Sequence, residues 1–507
     1  MSLLGIDVGT TGCKAGIISE SGEMLALAYR EYDPHNPRPD WAELDAAEVW
    51  TKVKQTISAV TQTPGITPIQ ALAVSTMGEA MVPVSSEREI LGPSILIYDS
   101  RGQAYTQDLR RVLPDETLYP KTGNTFGFFF SMVKLMWVKE NAPDLYARTD
   151  FFLPWTSFIS FMLGADPVVD YALANRTLLF DINARTWSDA LLGVSGIDRE
   201  KLPETKQAGT VIGQVSAEIA KELHLPPGLP IVMGTHDQCA NAVGCGAIDA
   251  GQAMLGMGTF TTLVPVFTEK YDPQLAIPLG VNTEHHAVPD RFVSFIYNQG
   301  GSVVKWFRDT FAANEKKMYE ESGEDIYAKL FSEIPDEPGS LTLLPYFTTT
   351  GLPDFSPHTS GVITGLHLTS SRGEILQGII ESILFDLKMT IEPLREMGLD
   401  LTEFIAVGGG SKSDVWVQTC ADIFGSPIRR PFVTEAGVLG SAMIAGVGSG
   451  IFRDYGSAVR DMVRMGDQFT PNLKKGERYH QKYLNFLELR KCLTGFLEDV
   501  ALENKRL

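Results

Sequence analysis

Two stretches half a chain apart share one construction, and that repeat constrains the fold more than any other feature. Leu3 to Asp7, Gly9-Thr-Thr-Gly12 and Cys13 to Ser19 read as strand, tight turn, strand, and Met24 to Tyr32 adds the third strand of an antiparallel meander. Met254 to Met257, Gly258-Thr259-Phe260 and Thr261 to Phe267 repeat the order of strand, Gly-Thr turn, strand. Between these units helical spacing alternates with short apolar runs. That alternation predicts an α/β chain of two similar domains facing each other across a cleft. At 507 residues and 44% hydrophobic, the chain can supply a core for each.

The remaining elements follow from periodicity. Helices are expected over Leu44 to Gln62, Ser131 to Asn141 and Arg372 to Met397, and a buried strand over Ala71 to Ser75. Phe292 to Tyr297 reads as a strand, Asn298 to Gly301 as a turn, and a helix is expected from Val303. Phe404 to Val407 then feeds Gly408-Gly-Gly-Ser-Lys-Ser-Asp414 and another helix, and about Gly476 to Lys505 closes the chain as one or two helices.

A formal net charge of -19 opposes a nucleic-acid or anionic-membrane partner, because either demands a basic face. An anionic ligand must be held locally, by backbone amides, a metal or a few placed cations. Cys13, Cys239, Cys245, Cys420 and Cys492 offer neither a disulfide framework nor a CxxC zinc spacing, which fits the reducing cytoplasm. The chain opens into a strand without a charged-then-apolar leader, so export is not expected. The weakly polar run from Ala242 to Phe267 holds Asp249, Gln252 and several glycines, and reads as turns and strands rather than a membrane span.

In Gly5-Ile-Asp-Val-Gly-Thr-Thr-Gly-Cys-Lys14 a carboxylate ends a buried strand and a turn of glycines brings backbone N–H groups close to a ligand. Thr10, Thr11, Gly12 and Lys14 make a phosphate cradle, and Asp7 could hold a hydrated Mg²⁺. The plainer alternative is a hairpin with a convenient glycine. Gly408 to Ser413 fails the Walker A pattern, since Ser411 rather than Gly precedes Lys412. Its glycines still let a nucleotide lie against the backbone, with Ser411, Lys412 and Asp414 near a helix N-terminus. No GxSxG elbow or strand-borne GxGxxG appears. In Gly234-Thr-His-Asp-Gln238, a His, an Asp and a Gln stand among small residues; Asp237 reads by its position as a helix N-cap and His236 as a structural His.

These segments together resemble the FGGY carbohydrate kinases, in order and spacing over nearly the whole chain. Phe129 to Asn141 is similar to the family's first signature. Gly361-Val-Ile-Thr-Gly-Leu366 with Glu374 to Glu381 is similar to its second, with Gly378 where Ala or Ser is usual. Gly256-Met-Gly-Thr259, Val407 to Gly410 and Glu435 to Gly440 complete the match.

The resemblance implies two ribonuclease-H-like domains of the actin-like ATPase kind. Residues 1–248 would bind the sugar, 249–452 the adenosine, and 453–507 would form a helical segment packing back on the body. It implies ATP and Mg²⁺, with Asp237 as the general base and Asp7 and Asp237 toward the metal. Thr10, Thr11, Gly12 and Lys14 fall on the first phosphate turn and Gly258 and Thr259 on the second. Gly301, Lys305, Gly409, Gly410, Ser411 and Asp414 fall beside the nucleotide.

The same resemblance places Gly78, Glu79, Asp99, Arg101, His236, Asp237 and Gln238 around a small sugar or polyol. Members that phosphorylate glycerol carry Arg-Glu, and those that phosphorylate xylulose carry Met-His, where this chain has Gly78-Glu79. A ketose of the pentulose kind is expected. A deoxy-ketose (rhamnulose- or fuculose-like), a tetritol, glycerol and gluconate stay open as acceptors. So does an actin- or Hsp70-like ATPase with no sugar acceptor. No nucleic-acid or membrane partner is expected, and a homodimer is an admissible assembly.

Overall fold

The computed structural model describes residues 1–348, 350, 359–433 and 435–504. Two large sheets organise it. In the first, the strand order is Val211–Gln214, Pro230–His236, Ile69–Thr76, Ser2–Val8, Gly12–Ser19, Met24–Glu31. Ser2–Val8 pairs antiparallel with Gly12–Ser19 and parallel with Ile69–Thr76, which is parallel in turn to Pro230–His236. The register aligns the ends of the three parallel strands, because Thr76 pairs with both Val8 and His236. The segments that leave the sheet there, the Gly9 to Gly12 turn, the Met77 to Ala80 bend and Asp237, therefore emerge along one edge. Open α/β sheets bind ligands at that carboxyl edge.

The second sheet repeats the plan. Gln252–Met257 pairs antiparallel with Phe260–Phe267 and parallel with Glu403–Val407, so the Gly258 turn and the Gly408 to Lys412 segment leave by a common edge. Both expected hairpins are present, with Val8 opposite Cys13 in the first and Met257 opposite Thr261 in the second.

Three expectations are revised. Phe292 to Tyr297 divides into Phe292–Val293 and Ile296–Gln299, which pair with separate parts of Phe260–Phe267. The side chain of Asn282 holds the interruption by accepting the Phe295 amide at 2.9 Å. The next helix begins at Gly301, earlier than Val303, and Asn298 and Gln299 belong to the strand. The segment 453–507, expected to be helical, contributes strand Met465–Phe469 to the second sheet, and the expected closing helices form a single one, Leu473–Asn504. Lys505 lies outside the described residues.

Helix Ala436–Gly448 comes late in the chain yet packs on the first sheet and on helix Asp237–Cys245. Glycine makes that contact feasible. A Cβ on Gly440 would lie 1.9 Å from the Ala240 carbonyl oxygen, and one on Gly244 would lie 1.9 Å from that of Ala436. Cys239 and Cys245 are fully buried in the cluster around this contact, as packing residues. No helix among the described residues is long and apolar enough to cross a membrane.

Candidate active site

Asp237 is the first residue of helix Asp237–Cys245 and follows directly on strand Pro230–His236. It is not the N-cap. That place belongs to His236, whose Nδ1 accepts the Gln238 amide at 3.1 Å. His236 Nδ1 also lies 3.0 Å from Asp237 Oδ1, but Oδ1 is a buried atom that makes no hydrogen bond. One ring nitrogen cannot accept from the amide and donate to the carboxylate at once. The cap contact therefore leaves Asp237 Oδ1 open. Burial alone would lower the His236 pKa, but Asp237 and then Glu79 raise it above the ordinary histidine value. The imidazole stacks on Phe295, with ring centroids 4.5 Å apart.

Asp7 is the penultimate residue of Ser2–Val8, which is separated from Pro230–His236 by Ile69–Thr76. Burial, and next the charge of Asp237, push its carboxyl up to about 6, against a hydrogen bond from Ser75 at 2.7 Å. A Cβ on Gly437 would lie 2.9 Å from Asp7 Oδ2, so glycine at that position keeps the carboxylate's surroundings open. Two acidic groups repelling each other at a strand edge form a donor set suited to Mg²⁺, which uses one or two carboxylates plus phosphates and waters. No cage of three or more His, Cys, Asp or Glu residues occurs among the described residues, as that mode of binding allows.

In the first turn the Gly9 amide donates to the Gly12 carbonyl at 2.9 Å, and Thr11 is exposed. Lys14 reaches Glu435 at 2.5 Å, just before helix Ala436–Gly448, so this cation is already partnered. In the second turn the Gly258 and Thr259 carbonyls accept the Gly301 and Ser302 amides, both at 2.9 Å. That turn opens onto a cavity of about 1140 Å³. The cavity gathers Gly258, Thr259, Gly301, Lys305, Gly409, Gly410 and Asp414.

Ser411 does not join them. Its side chain turns inward and donates to the Gly408 carbonyl at 2.7 Å, closing the short helical turn, while Lys412 and Ser413 face the cavity. Helix Ile326–Phe331 supplies a wall the sequence did not announce, with Asp325, Tyr327 and Phe331. Trp416 completes it.

Glu79 sits in the bend after Ile69–Thr76 with φ +59, a strained conformation for a residue with a side chain. Its carboxylate is buried against Arg176, whose Nε donates to Oε1 at 2.6 Å. Gly78 beside it leaves room for His236, and Gln238 follows Asp237 half-buried. Asp99 and Arg101 form a separate clamp. The Asp99 carboxylate is wholly buried and accepts the Ala42 amide at 2.7 Å, the Arg101 amide at 2.8 Å and the Arg101 guanidinium. The Arg101 guanidinium lies 4.1 and 4.9 Å from the ring centroids of Trp41 and Trp137, which pack edge to face, and also holds Glu43 at 2.7 Å. In this arrangement the polar atoms of the pair are engaged by protein groups, and the clamp braces the Trp41 segment.

Arg176 itself escaped the sequence reading. Its signal was one charge in the otherwise uncharged run Tyr171 to Phe180, and a buried charge needs a partner.

Comparison with known proteins decides the family. The model of the FGGY family of carbohydrate kinases, N-terminal domain, matches residues 2–244, and that of its C-terminal domain matches residues 253–449. The chain belongs to the FGGY family of carbohydrate kinases. Its members are phosphotransferases that use ATP as phosphate donor and an alcohol group as acceptor. The chain is 26% identical to a xylulose kinase of Bacillus subtilis, over 98% of its own length and 97% of that protein's. It is 25% identical to a gluconokinase of the same organism, again over 98% and 97%. The crystal structure of xylulose kinase from Rhodospirillum rubrum superposes with a TM-score of 0.87 at 26% identity, covering 98% of this chain and all of that one. The two-sheet architecture is thus the two-domain actin-like ATPase fold of FGGY kinases.

Proposed function

We propose that this FGGY kinase transfers the γ-phosphate of ATP to a hydroxyl of a small ketose, a pentulose of the xylulose or ribulose kind, with Asp237 as general base. The observation that carries the proposal is the placement of Asp237. Its buried Oδ1 makes no hydrogen bond, and it stands at the strand edge that also carries Asp7, the Gly9 to Gly12 turn and Glu79. Likeness over nearly the full length to a xylulose kinase agrees with a ketose, and the equally long likeness to a gluconokinase keeps aldonates in the test below.

Phosphoryl transfer to an alcohol asks the protein chiefly to position and neutralise, and to take the hydroxyl proton late. Glu79 accepts hydrogen bonds from acceptor hydroxyls beside Gly78, and His236 and Gln238 border the hydroxyl presented to Asp237. The amides of Thr10, Thr11 and Gly12 and the threonine hydroxyls hold phosphate from one side, joined by Lys14 where phosphate displaces Glu435, and Gly258 and Thr259 hold it from the other. Gly301, Lys305, Gly409, Gly410 and Asp414 line the nucleoside space. Asp7, with Asp237 nearby, would hold Mg²⁺, which supplies charge neutralisation on the phosphates when bound. Residues 1–248 serve the acceptor, 249–452 the nucleotide, and 453–507 close the body. The free cysteines, four of them buried, support a reducing compartment, the cytoplasm.

ADP release measured over pentuloses, hexuloses, deoxy-ketoses, tetritols, glycerol and aldonates tests this proposal. Turnover should depend on acceptor and peak with a pentulose. ATP hydrolysis indifferent to every acceptor would instead favour a switching ATPase.

A further inference from the structure

Arg176 joins the two halves of the molecule beside the proposed acceptor pocket. From the first half, Glu79 takes its Nε and Nη2 edge, both contacts falling on Oε1. From the second half, Glu284 accepts Nη1 at 2.7 Å, while Asn124, like Glu79 a residue of the first half, accepts the same nitrogen at 3.3 Å. Asn282 fixes Glu284 in turn by donating to its Oε1 at 2.8 Å. Glu284 is fully buried and Arg176 is 7% exposed, while Phe130 and Phe295 flank the guanidinium at 4.8 and 5.7 Å.

The triad carries one cation against two anions, and Asp237 and Asp7 add two more carboxyl groups at the strand edge. The lysines nearby are engaged, and His236 is already offset by Asp237 and Glu79, the carboxylates that raise its pKa. Lys14 is held by Glu435, and Lys134 donates to the Asp99 carbonyl, sharing only a small separate cavity with Glu79. An acceptor carboxylate would need a planar donor fork, which an unoccupied arginine edge supplies. Both edges of Arg176 are filled. Hydroxyl donors face the opposite situation, since Glu79 Oε2 remains an acceptor.

We propose that Arg176 and Glu284 are positioning residues that set acceptor specificity through Glu79, making the pocket selective for neutral polyhydroxy acceptors over aldonates. This rests on the kinase proposal above and narrows it. Likeness to a gluconokinase covers as much of the chain as likeness to a xylulose kinase, so overall similarity does not decide the point. The charge arrangement does.

The test uses the full chain with MgATP and initial rates on D-gluconate and on neutral ketoses and polyols. The wild type should show kcat/KM for its best neutral acceptor at least about 100-fold above that for D-gluconate, as expected for like charges brought together out of water. Glu284→Gln keeps the side-chain shape, removes one negative charge and should lower that ratio about tenfold, mainly through KM for gluconate. Glu79→Gln should lower it in the same direction, and serves if the first variant does not fold. A purely structural role would reduce both acceptors alike and leave the ratio unmoved. A wild-type ratio below about tenfold, or a ratio unchanged in a folded variant, overturns the inference while leaving the kinase proposal standing. A wild type inert toward every acceptor overturns both.

Discussion

Gly78 and His236 form a steric pair: a Cβ on residue 78 would lie 2.6 Å from Nε2 and 2.8 Å from Cδ2 of the imidazole. The ring is also fixed from behind by Phe295 and at Nδ1 by the Gln238 amide. Residue 78 therefore stays small as long as His236 keeps this orientation. The imidazole fills the space a side chain at position 78 would need.

Gly78→Ala should accordingly displace His236 from its stack. The expected result is a KM for the acceptor raised about tenfold or more, with KM for ATP nearly unchanged, as for loss of about 1.4 kcal/mol of acceptor binding. Steady-state kinetics on both substrates checks this. An unchanged acceptor KM would mean the imidazole moves aside without consequence.

Asp99→Ala should act on stability rather than on acceptor binding. It leaves the buried Arg101 without its main counter-charge, and breaking such a pair costs about 3–5 kcal/mol. Thermal unfolding should fall by several degrees, while protein that remains folded keeps its acceptor KM. A raised KM with unchanged thermal stability would restore Asp99 to the substrate.

Asp386 is buried on helix Arg372–Glu396, accepting Asn298 Nδ2 at 2.5 Å and the Tyr346 hydroxyl at 3.1 Å. Burial pushes its carboxyl up to about 6 despite those bonds. A raised carboxyl pKa means the folded state binds the proton that the unfolded state has released. The contribution of Asp386 is therefore complete below about pH 4 and is lost as pH rises through about 6, on the order of 3 kcal/mol. Asp386→Asn should gain stability relative to wild type across that interval, read from paired unfolding curves at pH 4.5 and 7.5. A difference independent of pH would contradict the assignment.

The parts legible in the sequence were those encoded locally. The Gly-Thr hairpins, the glycine segment after Val407 and the helix from Arg372 each follow from a few adjacent residues, and each appears where the pattern put it. The parts that were not legible depend on contacts between distant segments. Arg176 and Glu284 are 108 residues apart and meet only because strand Glu284–His285 of the second sheet comes up against the first half. Ser411 and Lys412 are equally polar in the sequence, and the short helical turn decides which of them faces the cavity. Asp99 looked available because nothing near it in sequence announces that the Ala42 amide and Arg101 would consume it.

The central claim is that Asp237 takes the proton from an acceptor hydroxyl, and acceptor-dependent ADP formation in wild type and Asp237→Asn tests it most directly. Asparagine keeps the shape and removes the basicity, so acceptor-dependent kcat should fall about 100-fold or more while KM for ATP holds. Retention of more than about a tenth of wild-type acceptor-dependent turnover by Asp237→Asn would contradict the account.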